Sequence, residues 1–190
     1  MSSSTWRLSM VTGAFGLVAA FAIPAQAATI VVGDNLGASC FEAVDSGKSS
    51  AWVDDMCTEA LDDVMLAERD RAATHINRGI VRLRLGRSDD AMADFNAALE
   101  IDPTLGDAFT NRAAAHVAMG DLQAALDDLN VALGMKLERP EVAYLGRAMV
   151  LEDMGRVKEA YYDYRHAAEL APEWDAPRIE LTRYRVQRSG

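Results

Sequence analysis

The chain has 190 residues, half of them hydrophobic and a quarter charged, which suits one globular domain with a modest core or two small ones. Acids outnumber bases by ten, which argues against nucleic acid and anionic lipid as partners, since both reward Lys and Arg. Three histidines and two cysteines leave little material for a metal centre or a nucleophile, so no metal, cofactor or catalytic group is expected.

At the N-terminus, Arg7 is the only charged side chain before an apolar run from Met10 to Ile23, and Pro-Ala-Gln-Ala-Ala follows. A charged start, a short apolar run and small residues at Ala25 and Ala27 predict a secretory signal peptide over 1–27, cut near Ala27. The mature chain would then be periplasmic, and a membrane is involved only if the segment is retained as an anchor. The stretch LGASC, Leu36 to Cys40, faintly resembles a lipoprotein cleavage box. Gly37 holds the place of its bulky aliphatic residue, and polar Asp34 and Asn35 separate it from the apolar run, so lipidation is not expected. Residues 28–37 read as a loose leader.

Residues 38–71 carry both cysteines, Cys40 and Cys57, on either side of a turn sequence, Asp45 to Ser50. An even pair in an exported chain predicts a structural disulfide stapling two short helices. Buried free thiols are the alternative, and a redox dithiol would favour Cys-x-x-Cys spacing. In the second helix Cys57, Leu61 and Val64 fall at i, i+4, i+7, so this stretch reads as a degenerate helical pair.

From Ala72 the chain repeats itself. Arg78, Arg112 and Arg147 recur with a small residue after each (Gly79, Ala113, Ala148), and Gly86, Gly120 and Gly155 follow in step. So do Ala91, Ala125 and Ala160, then Phe95, Leu129 and Tyr164, then Ala98, Ala132 and Ala167. A period of about 34 residues means stacked helical hairpins. The glycines end the first helix of each hairpin in the left-handed conformation, and the small residues let the second helix lie close to the first. Ser88, Asp89, Asp90 and Asp121 supply caps and dipole-matched acids to the second helices. Pro103 and Pro172 close the first and third units, while Leu137 stands in for proline in the second, three residues before Pro140.

On these residues the chain resembles the tetratricopeptide repeat (TPR) family, with units at 72–105, 106–140 and 141–174 and a C-terminal cap helix over 175–190. The resemblance implies an all-α, right-handed α-solenoid and a non-enzymatic module that binds a peptide or helix of another protein. The family's early aromatic is His75, Phe109 or Tyr144 here. The resemblance also implies that the first helices line a concave groove. Its wall would be Ala73, Ile76, Asn77, Ile80 and Arg84, then Asp107, Thr110, Asn111, Ala114 and Ala118, then Val142, Leu145, Met149 and Asp153. Some co-chaperone members clamp a C-terminal carboxylate with Lys, Arg and Asn. The matching places hold Ile76, Ile80, Asn111, Val142 and Gly146, so the clamp is absent and an apolar guest is expected.

The regular charges read as scaffold. Arg78 with Asp94, Arg112 with Asp128 and Arg147 with Asp163 each tie a first helix to a second. The adjacent pairs Asp54-Asp55, Asp62-Asp63, Asp89-Asp90 and Asp127-Asp128 read as solvated faces and caps. His75, His116 and His166 sit at different places in their units and do not converge on one ion. The acidic stretch 34–71 and the arginines of 175–190 raise self-association through the end caps as the alternative function, that of a homo-oligomerising scaffold.

Overall fold

The computed structural model describes residues 6–10 and 36–188, with side chains for 36–184. Nine helices account for nearly all of it: α1 Leu36–Asp45, α2 Ala51–Asp62, α3 Glu68–Arg84, α4 Ser88–Ile101, α5 Gly106–Met119, α6 Leu122–Leu133, α7 Pro140–Asp153, α8 Val157–Leu170 and α9 Asp175–Leu181. Two short strands, β1 Trp6–Met10 and β2 Tyr184–Arg188, pair antiparallel. The helices fall into two compact units, one ending at Glu138 and holding α1 to α6, the other holding α7 to α9 with the strand pair.

Within each unit the elements are helical hairpins, and their turns share one construction. Gly47, Gly86, Gly120 and Gly155 all have φ between 76° and 82°, a left-handed geometry that costs glycine little. The residue after each glycine donates its N–H five residues back, Lys48 to Ala43, Arg87 to Arg82, Asp121 to His116 and Arg156 to Leu151. That is the Schellman closure of a helix C-terminus. Its presence at Gly47 makes α1–α2 a true fourth hairpin, two residues earlier than the predicted start at 38. The second helices open unevenly. The Asp121 side chain accepts from the Ala124 N–H and Ser50 from the Val53 N–H, whereas α4 has no side-chain cap and relies on Asp89 and Asp90 in its first turn.

Packing follows the recurring small and apolar positions. Ala91, Phe95 and Ala98 on α4, and Ala125, Leu129 and Ala132 on α6, are fully buried. A Cβ built on Gly79 would lie 2.5 Å from the Phe95 ring, so only glycine lets α3 and α4 approach this closely. A Cβ built on Gly106 would lie 2.5 Å from the Leu137 side chain, so Leu137, at the place of the closing proline, packs directly on the start of α5.

Four expectations are corrected. The buried stripe of α2 is Val53-Cys57-Ala60, not Cys57-Leu61-Val64, and Val64 is exposed. The helix stops at Asp62 because Asp63 turns extended, its carboxylate accepts from the Met65 N–H, and Arg71 donates to the Leu61, Asp63 and Leu66 carbonyls. The first repeat helix compensates by beginning at Glu68, about one turn before residue 72. Pro140 is the first residue of α7 rather than the last of the second unit, a place where its missing N–H costs nothing. The cap helix over 175–190 is only α9. The buried Tyr184 draws the chain out of the helix, packing against the rings of Tyr161 and Tyr164 and donating its hydroxyl to Glu152. The β1–β2 pair also departs from a wholly helical chain. It uses residues 6–10 of the expected leader, whose other residues lie outside those described.

Candidate functional site

The Arg–Asp pairs are formed in all three repeat hairpins. Arg112 donates from Nε and Nη2 to Asp128 at 2.8 Å each, and Arg147 reaches Asp163 the same way at 2.7 and 2.9 Å. Arg78 binds both oxygens of Asp94, its shortest contact being 2.7 Å. All three aspartates are buried. Such two-pronged, charge-assisted bonds hold two helices at a fixed roll and distance. The early aromatics serve the same forks: Arg112 lies over the Phe109 ring and Arg147 over Tyr144. His75 instead contacts Asp94 directly at 3.0 Å.

Around the first fork the network is larger than the sequence suggested. Asp94 also accepts from Arg82 at 2.8 Å, and Arg82 accounts for one oxygen of Asp54 while Arg87 accounts for the other. Asp54, read as a solvated acid, is therefore a buried tie between α2 and the first repeat. Burial alone would raise the Asp94 carboxyl, but hydrogen bonds from His75 and Arg78 and the charges of Arg78 and Arg82 outweigh it, and it sits below its ordinary value. The third nitrogen of the first two forks reaches back to the preceding hairpin, Arg78 to Thr58 and Arg112 to Asn96. Cys40 and Cys57 form a disulfide joining α1 to α2, with both residues fully buried.

The expected groove wall is mostly closed. Ala73, Ile76 and Ile80 on α3 are fully buried, and the isoleucines share a core with Cys40, Ala43 and Val44 of α1, which packs on α3. They are not free apolar area, because the N-terminal hairpin covers them. Arg84 donates to the Val44 carbonyl at 3.2 Å, capping α1 rather than facing a guest. On α5, Asn111 donates to the Asp107 carbonyl and Thr110 to the Gly106 carbonyl, so both are locally paired. Ala114 is buried and Ala118 exposed. Burial first and the nearby Glu138 second hold the Asp107 carboxyl above its ordinary value. On α7, Val142 and Leu145 are buried, Met149 is half-buried and Asp153 is exposed.

One residue of the wall has no local account. Asn77 is 0% exposed, and both its Nδ2 and its Oδ1 are buried without a hydrogen-bond partner. A buried amide left unpaired on both sides costs about 1–3 kcal/mol, so something other than stability places it there. It lies on α3, which contacts α5. Among the described residues no cluster of His, Cys, Asp or Glu could hold a metal ion, and no helix is long and apolar enough to cross a membrane.

Against known proteins, tetratricopeptide repeat profiles match residues 72–105 and 142–173. The mouse (Mus musculus) DnaJ homolog subfamily C member 3 is 33% identical over 98 residues, covering 52% of this chain and 19% of that protein. This chain thus spans about a fifth of the length of the curated relatives it matches first. Among solved structures, MamA superposes with a TM-score of 0.61 at 19% identity, covering 79% of this chain and 82% of that one. The first TPR of Spaghetti (RPAP3), bound to the HSP90 peptide SRMEEVD, gives 0.55 at 25% identity over 58% of this chain and 87% of that one.

Proposed function

This chain is a tetratricopeptide repeat protein, and from that we infer a non-enzymatic adaptor that holds a segment of another protein against α3 and α5. The observation that carries the reading is the orphaned amide of Asn77. A peptide backbone offers one donor and one acceptor per residue, the complement of a side-chain amide. The forks are spent on scaffold, so the Arg and Asp residues that recur most regularly are not the recognition groups. The peptide-bound RPAP3 structure supports a peptide as the class of guest. Its acidic peptide is not the expected ligand here, because Ile76 and Ile80 replace the basic and amide positions of the carboxylate clamp. The guest is an apolar segment, and because Asn77 is 0% exposed the guest's main chain reaches the amide only where binding opens the cover over α3.

Asn77→Leu separates this from a purely structural role. Leucine keeps the branching of the side chain at Cγ and removes two unsatisfied groups, so the variant should gain about 1 kcal/mol in urea unfolding while losing the partner that wild type captures. A variant that is destabilised, or stabilised with capture intact, sinks the reading.

We place the adaptor in the periplasm on the strength of the leader sequence. N-terminal sequencing of the exported protein should begin near Ala28, and a retained Met1 would mean an anchored form. Cleavage there removes β1 and leaves Tyr184–Arg188 without its strand partner. The oligomerising-scaffold alternative needs free arginines at the C-terminal cap. Of its four arginines, Arg178 is engaged with Asp175 and Arg183 with Glu180 and Glu152, while the side chains of Arg185 and Arg188 lie outside those described.

A further inference from the structure

The outer side of the N-terminal hairpin is built unlike a solenoid cap. Terminal repeats turn a polar face to water to keep the stack soluble. Here the three most exposed large apolar side chains among the described residues, Val64 at 88%, Met65 at 85% and Trp52 at 66%, all belong to α2 and the loop that follows it. Between them, Asp55, Glu59 and Asp62 are exposed and carry no ion pair among the described residues. Trp52, Asp55, Glu59 and Asp62 are spaced i, i+3, i+7, i+10, which puts them on one face of α2, opposite the buried Val53, Cys57 and Ala60.

The mounting is rigid. The disulfide fixes the middle of α2 at Cys57. Asp54, one residue before Asp55, is clamped between Arg82 and Arg87. Arg71 holds the carbonyls on both sides of Val64 and Met65, so the loop presents its apolar tips in a fixed shape. Tryptophan and methionine held in place and already exposed lose little freedom on docking, and both residue types are enriched in interfaces.

We propose that this face of α2 docks a cationic amphipathic helix of another protein, its Lys or Arg residues meeting Asp55, Glu59 and Asp62 and its apolar side chains meeting Trp52 and the Val64–Met65 loop. Charge complementarity selects that occupant. An unneutralised acidic stripe repels acidic guests and, bracketed by apolar anchors, fits a helix with basic residues at the same spacing. A second copy of this chain is the poorer match, since Arg178 and Arg183 of its cap are already engaged within the chain. The face shares no residue with the surface around Asn77, so Asn77→Leu should leave it unchanged and the two readings fail separately.

The test uses the full mature chain and two synthetic helical peptides of about 15 residues, long enough to be marginally helical alone, one Leu/Lys and one Leu/Glu with the same pattern. Titration of dye-labelled peptides, followed by fluorescence anisotropy, should show the Lys peptide binding and the Glu peptide not. Asp55→Lys with Glu59→Lys should weaken the Lys peptide roughly tenfold, with affinity recovered by the Glu peptide. Trp52→Ser with Met65→Ser should weaken it comparably, with circular dichroism melting unchanged in both variants. Equal binding of the two peptides, or variants that bind like wild type, overturns the proposal. So does sedimentation showing that the wild-type chain self-associates and that the Asp55/Glu59 reversal abolishes it, because the occupant would then be a second copy.

Discussion

The hairpins α3–α4 and α5–α6 come from the same repeat and carry the same Arg–Asp fork, yet they are reinforced differently. In α5–α6 the fork is smaller: Arg112 grips Asp128 and steadies itself on Asn96 and the Phe109 ring, with the His116 imidazole 3.7 Å from the same carboxylate. In α3–α4 the aspartate takes Arg78, Arg82 and His75, and the network runs on through Asp54 to Arg87. The extra charges cluster where the chain must attach a small hairpin, with α1 of 10 residues and α2 of 12, to a longer one. Apolar contact scales with helix length, so the short hairpin has less of it, and a covalent bond and buried ion pairs take up the difference. The end of the stack is thus the most cross-linked part of its unit, and it presents the most exposed apolar side chains.

Removing the shared acceptor is the sharpest way to test that contrast. Asp94→Ala strands Arg78 and leaves Arg82 only its Asp54 contact, and should cost about 3–5 kcal/mol in urea unfolding, the range for breaking one side of a buried pair. Asp128→Ala strands one arginine that water partly reaches, and should cost about 2 kcal/mol. Equal losses would mean that the larger network is ornamental. Next comes the covalent tie. Cys40→Ser with Cys57→Ser opens a loop of 17 residues and should cost about 3 kcal/mol by chain entropy. Hydrogen exchange should rise in α1 and α2 more than in α5 and α6.

The first network explains what could and could not be read in advance. The forks, turn glycines, small-residue contacts and cystine were legible because each recurs at a fixed spacing or, for cysteine, has a single possible partner. Asp54 was not, since nothing in an adjacent Asp pair says that one member points inward. Its partners Arg82 and Arg87 lie 28 and 33 residues further along the chain, too far for any local spacing to announce them. Ile76 and Ile80 were misassigned for a related reason. The same helical face lines a groove or packs beneath a preceding hairpin, and a degenerate hairpin with few family landmarks gives no sign of how closely it will sit. Gly47 was a weak signal, since it lies 39 residues before Gly86 (86 − 47) where the other turn glycines are 34 and 35 apart. The exit of the chain from α9 into β2 depends on Tyr184 finding the Tyr161 and Tyr164 rings, a contact with no periodicity behind it.

The close approach at Gly79 offers a smaller test of the same contrast. Gly79→Ala drives a methyl into the Phe95 ring and should cost about 1–3 kcal/mol, the usual penalty of overpacking. Ala113→Gly, at the equivalent place in α5, removes a methyl from a helix interior and should cost about 1 kcal/mol. If Gly79→Ala is neutral, the first hairpin is less tightly packed than its neighbour, and its ion network compensates for looseness instead of reinforcing a close fit.

The smallest expected effect concerns sign more than size. Asp94 and Asp107 sit in neighbouring hairpins with carboxyls displaced in opposite directions from the ordinary 3.8. Asp94 is depressed, so its contribution is present above the unfolded value and is lost as pH falls through the folded one. Asp107 is raised by burial and by Glu138, so its charged form opposes folding at neutral pH, and that penalty is relieved as pH falls through its folded value. Asp107→Asn should therefore stabilise the chain at pH 7 by less than about 1 kcal/mol, offset in part by losing an acid from the first turn of α5. Wild type should show a shallow gain in stability on acidification before the Asp94-dependent collapse. The variant should lack that gain and keep the collapse. An unaltered gain in Asp107→Asn would assign it to another carboxylate, and would leave α5–α6 held by its fork alone with no buried charge to offset.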